Sequence, residues 1–126
     1  VQTVRLDRAR FERLVEEAVA SLPRFFRERL ENVAIIVQDY PGPEIQDHHG
    51  RGRVRHILGL YHGVPRPQRS IWYQPPLPDV IYIYQRNIEA ICRTEEEIKA
   101  QVRQTVIHEI GHYFGLTDEE LERLQR

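Results

Sequence analysis

Near the end of the chain, the run His108-Glu109-Ile110-Gly111-His112-Tyr113-Phe114-Gly115-Leu116-Thr117-Asp118 has the residue types and spacing of a metal-dependent hydrolase site. On a helix, side chains four apart project to the same side about one turn apart, so the imidazoles of His108 and His112 can reach a single ion. At 3.6 residues per turn Glu109 lies about 100° around the axis from His108 and about 60° from His112, beside the metal rather than on it. A general base acting on a water that the metal has acidified belongs there. Zinc held by neutral imidazoles and one carboxylate brings that water's pKa to about 7 and polarises a carbonyl for attack. The chemistry this pattern would perform is hydrolysis, with one Zn2+ per chain.

The site needs a helix that starts and stops in the right places. Thr94 followed three residues later by Glu97 is a capping box that satisfies backbone donors at a helix start. Ile98, Val102, Val106, Ile110 and Phe114 then recur every four residues as a face expected to pack on a sheet, with both histidines on the other side. Gly115 is suited to the left-handed turn that closes the helix. Thr117 and Glu120 form a second capping box that starts a short last helix, with Asp118 just inside it. The Gly115 turn can carry the Asp118 carboxylate back toward the histidines as a third ligand, leaving a fourth position open for water. A first-turn aspartate is also favoured by the helix dipole alone, so Glu119 and Glu120 stay open as alternative ligands.

The upstream elements must hold that helix. Phe11, Leu14, Val15, Ala18 and Leu22 recur at helical spacing after Asp7, which predicts an amphipathic helix over 8–21, and Pro23 separates it from a second over 24–30. Val33 to Gln38 is short, apolar and β-branched, and is expected to be a central buried strand. A polar loop over 40–53 contains His48-His49, read as solvated. The next strand, within 55–63, is expected to put Leu58 and Leu60 on one face and Ile57, Gly59 and Tyr61 on the other. Glycine inside a strand marks close approach of another backbone, so Gly59 can align a peptide by strand addition. Tyr61 can donate to a developing oxyanion. Residues 64–79 carry five prolines with Trp72 and Tyr73, a long loop in which Trp72 can cover the cleft. Val80 to Tyr84 predicts a third strand, and 85–92 a short helix whose apolar face is Ile88 and Ile91. His56 and His62, which flank the second strand, are expected at the surface.

Composition narrows the classes. The 126 residues carry a formal net charge of -1, which provides no global field for nucleic acid or anionic membrane. Cys92 is the only cysteine, which excludes an intrachain disulfide or a thiolate-rich zinc site; it is read as a buried structural thiol. No apolar run approaches the roughly 20 residues of a membrane span, so a cytoplasmic protein is expected. No repeat or long linker divides the chain, and residues 1–126 are expected to form a single domain.

The string His-Glu-x-x-His-x-x-Gly-x-x-Asp resembles the extended zinc motif of metzincin-type proteases in its aspartate-ending form, as in snapalysin-like enzymes. Over most of its length the chain is similar to the small bacterial zincin-like metallopeptidases sometimes called minimal metalloproteases. The similarity lies in Leu22-Pro23 with Phe26-Arg27, in 32–39, in Leu58-Gly59-Leu60-Tyr61 with Gly63, in 78–83 and in 105–121. It implies an α+β zincin-like fold, a small mixed sheet of about three to four strands packed on helices, with the motif helix near the C-terminus. It also implies His108, His112 and Asp118 as metal ligands, Glu109 as catalytic base and a peptide or protein as substrate. One departure stands out: metzincins place a methionine turn beneath the metal, and this chain has no methionine. The pocket floor must be built differently.

Two other classes compete with peptide hydrolysis. A zinc hydrolase acting on RNA would want a third histidine and a basic cleft, whereas this chain offers Asp118 and balanced charge. A metal-binding or interaction module without catalysis would keep the ligands and lose only turnover. Oligomeric state is not legible in the sequence.

Overall fold

The computed structural model describes residues 3–43, 56–63 and 78–126. Among these, five helices and three strands follow the order α1 (Arg8–Ala20), α2 (Arg24–Arg29), β1 (Val33–Gln38), β2 (Gly59–His62), β3 (Asp79–Tyr84), α3 (Gln85–Glu89), α4 (Glu95–Tyr113), α5 (Asp118–Gln125). The architecture is α+β, with a mixed three-stranded sheet and the motif helix near the C-terminus, as the sequence predicts.

Helix α1 begins where Asp7 accepts from the Arg10 N–H at 2.8 Å, and it buries Phe11, Leu14, Val15 and Ala18. The 19-residue α4 buries Ile98, Val102, Val106 and Ile110 from the same side and packs against α1 as well as against β2 and β3. The expected apolar stripe therefore meets a helix in addition to the sheet. Its last member departs from it: Phe114 is 47% exposed because it caps α4, where the chain is already turning away from the core.

The strand order is β1-β3-β2, with β1 parallel and β2 antiparallel to β3. The central strand is β3, not β1 as expected from its apolar run. Ile81 and Ile83 of β3 face the helical core while Tyr84 is buried on the other side with Ile57, Leu60 and Tyr82 against it. Ile36 of β1 is 40% exposed, as befits a strand paired on one side among the described residues. Strand β2 starts only at Gly59, so the expected alternation fails just before it. Leu58 packs into the helical core, whereas Leu60 turns to the Tyr84 side.

Helix α3 ends at Glu89, one turn short, which leaves Ile91 58% exposed. Ile88 is buried as expected, and buried Gln85 and Glu89 share the inward face with it. The Glu89 carboxylate accepts from the Leu6 N–H at 2.9 Å, the Gln85 amide at 3.0 Å and Arg86 at 2.8 Å. Those bonds satisfy a charge that would otherwise be costly to bury, and they tie the N-terminal strap to the end of the sheet. Cys92 is buried and its thiol is pushed up by desolvation, so it is the structural residue expected.

Candidate metal centre

The last turns of α4 turn Ile110 inward and leave His108 and His112 exposed on the opposite side. The two imidazole centroids are 6.4 Å apart and their planes cross at 86°. Two imidazoles on one tetrahedral zinc, with Zn–N of about 2.0–2.1 Å, hold their centroids about 5 Å apart. Both rings are exposed, so a small side-chain rotation closes the difference. Two exposed imidazoles one turn apart could then reach a shared ion.

Glu109 is half-buried, and its Oε1 accepts from the Tyr61 N–H at 2.8 Å. The sheet register explains why that N–H is on offer. Tyr84 donates to the Leu58 carbonyl at 3.0 Å, and the pairing runs Gly59 to Ile83, Leu60 to Tyr82, Tyr61 to Ile81. Hydrogen-bonded and non-hydrogen-bonded pairs alternate in an antiparallel ladder, so Gly59 and Tyr61 direct their main-chain groups away from β3. Glu109 takes one of these outward groups.

The Tyr61 side chain is fixed at both ends. Its hydroxyl donates to Asp79 Oδ2 at 2.8 Å, and its ring stacks on Tyr113 with centroids 4.0 Å apart and an interplanar angle of 20°. The hydroxyl that the sequence offers to an oxyanion is thus given to a buried carboxylate on β3. Gly59 makes the close approach expected of it: a Cβ there would lie 2.6 Å from Thr105 Cγ2 and 2.8 Å from the Tyr82 carbonyl oxygen. Between this strand and α4 opens a cavity of about 370 Å³, with Ile57, Leu58 and Gly59 on one wall and Gln101, Gln104, Thr105, His108, Glu109 and His112 on the other.

Helix α4 closes as its glycine predicts. Gly115 has φ +69°, the Leu116 N–H donates to the Gly111 carbonyl at 2.8 Å, and the Gly115 N–H donates to the His112 carbonyl at 3.2 Å. This pair of bonds is the Schellman motif. Thr117 then caps α5, with its hydroxyl receiving the Glu120 N–H at 3.1 Å and the Glu120 carboxylate receiving the Thr117 N–H at 2.9 Å. Those bonds hold Glu120 below the ordinary carboxylate range, so the cap is intact above that range and loosens as pH falls through the lowered pKa.

Asp118 is the exposed first residue of α5. Among the described residues, no three His, Cys, Asp or Glu side chains stand close enough together for one ion, so Asp118 is not gathered with the histidines here. Trp72, Tyr73 and His48-His49 lie outside the described residues. His56 and His62 are exposed, as expected.

Sequence reasoning missed Asp79, Gln101, Gln104 and Thr105. The last three were within reach, because 101, 104, 105, 108 and 112 fall on one stripe of a helix. Asp79 had no such signal, since its role depends on a contact across strands. The family model of zincin-like metallopeptidases matches residues 30–126. No curated protein sequence matches the chain. No helix among the described residues is long and apolar enough to cross a membrane.

Proposed function

The chain belongs to the zincin-like metallopeptidase family, and from that premise we propose that it hydrolyses peptide bonds with one zinc bound by His108, His112 and Asp118 and with Glu109 as general base. The observation that carries this reading is that His108, Glu109 and His112 line one wall of a cavity whose other wall is Gly59, at the start of β2, with Ile57 and Leu58 before it. When bound, zinc lowers the pKa of its water to about 7 and polarises the carbonyl to be attacked. Glu109 is the group assigned to receive the proton, and the Tyr61 N–H held by its Oε1 at 2.8 Å fixes its carboxyl beside the histidines. The same carboxyl then returns the proton to the departing amine. The outward main-chain groups at Gly59 are suited to align an extended peptide by strand addition. Neutral amides and apolar side chains in the described lining suit a peptide better than a phosphate backbone.

Asp118 is the ligand to test first. Elemental analysis of untagged protein purified without chelator should give one zinc per chain. Asp118→Asn should weaken zinc affinity by at least about tenfold, because the ligand charge is lost. Its metal-free melting temperature should barely move, since the residue is exposed and asparagine keeps the first-turn geometry. Equal affinity in chelator competition would leave Asp118 as a helix-start residue and pass the third position to Glu119, Glu120 or a loop histidine.

A further inference from the structure

We infer that Tyr61 is a positioning residue for Glu109, a clamp that sets the distance between the edge strand and the motif helix; this rests on the peptidase reading for its kinetic consequence but not for its geometry. Contacts to three places in the fold bear on this. The main chain reaches α4 through the N–H to Glu109 Oε1 at 2.8 Å. The hydroxyl reaches the start of the central strand through Asp79 Oδ2 at 2.8 Å. The ring reaches the end of α4 by stacking on Tyr113 at 4.0 Å.

Each contact constrains a different freedom. The Asp79 bond, two residues along β3 from the Ile81 that pairs with Tyr61, locks the side chain across the two strands. Asp79 is itself 8% exposed, so giving up this bond would weaken the solvation of a buried carboxylate. The Tyr113 stack fixes β2 against the last turn of α4, one residue beyond His112. A Cβ on Gly63 would lie 3.0 Å from Tyr113 Cε1, so the chain leaving β2 also lies close against that ring. With the strand held on both sides, its N–H arrives at Glu109 in a defined place. That hydrogen bond narrows the rotamers open to Glu109 before any substrate arrives.

The consequence belongs to kcat rather than to substrate affinity, since Tyr61 acts through the orientation of the base. Tyr61→Leu, which loses both the stack and the hydroxyl, should lower kcat at least about tenfold with KM within about twofold and zinc content unchanged. Tyr61→Phe keeps the stack and should regain most of that loss. The geometry is read without turnover by the amide resonance of residue 61 in 15N-labelled protein. A charge-assisted hydrogen bond draws that proton downfield, and Glu109→Gln, which leaves a neutral acceptor, should move it upfield. An amide indifferent to Glu109→Gln, or a Tyr61→Leu protein with wild-type kcat, would overturn the clamp. Failure of the wild-type protein to cleave any peptide would overturn the peptidase reading instead, and the amide resonance would still decide the clamp.

Discussion

Glu109→Gln protein is expected to hold as much zinc as the wild type and to hydrolyse peptide about 10²- to 10⁴-fold more slowly, the range by which a positioned general base accelerates a reaction. Glutamine keeps the length and planarity of the side chain, and its carbonyl can still accept from the Tyr61 N–H that Glu109 now receives at 2.8 Å. What it cannot do is take up a proton. The change therefore separates binding from chemistry within one residue. Metal content by elemental analysis and initial rates on a peptide mixture are the two measurements. Wild-type turnover in this variant would move the base to another residue, and loss of zinc would make Glu109 a ligand.

The larger effect on the metal should come from the histidines. His108→Ala and His112→Ala are each expected to lower zinc affinity by well over about 100-fold, beyond the range seen when only an outer-shell partner of a ligand is removed. Both side chains are exposed, so neither substitution opens a cavity in the core. The metal-free proteins should melt within about 0.5 kcal/mol of the wild type, as surface substitutions do. Affinity in the wild type should also fall as pH drops, because imidazole binds metal only when deprotonated. Chelator competition read alongside thermal unfolding distinguishes a lost ligand from a lost fold. Zinc affinity unchanged in both variants would end the zinc-hydrolase reading.

Local signals in the sequence were read correctly where short-range chemistry governs them. Thr94 caps α4 through the Glu97 N–H, though the Glu97 carboxylate returns to the Arg93 N–H rather than to Thr94 itself. Gly115 takes the left-handed turn, and Thr117 with Glu120 completes the second box. These depend on residues three to five apart. Strand order does not: β1 and β3 are both apolar runs, and only the crossing of 40 residues between them decides which is flanked on two sides. The exposure of Phe114 and Ile91 has a similar cause, because periodicity tells which face a residue would take and not where the helix stops. Asp118 remained open because its approach to the histidines depends on the direction the chain takes after the turn, which composition does not encode. The sequence points to the Tyr61 hydroxyl, whereas it is the main chain of Tyr61 that meets Glu109, through a bond that depends on strand register.

The pairing of α1 with α4 bears on where this unit can be cut. The family match begins at residue 30, yet the wall behind the motif helix is α1, whose Phe11, Leu14, Val15 and Ala18 all precede that point. A fragment starting at residue 30 would keep every residue assigned to catalysis and would present the Val102 and Val106 side of α4 to water. Such a contiguous apolar stripe invites association between molecules rather than a folded monomer. The catalytic signature and the smallest self-sufficient piece of chain are therefore different lengths, and the N-terminal helix belongs to the second even though it contributes nothing to the first.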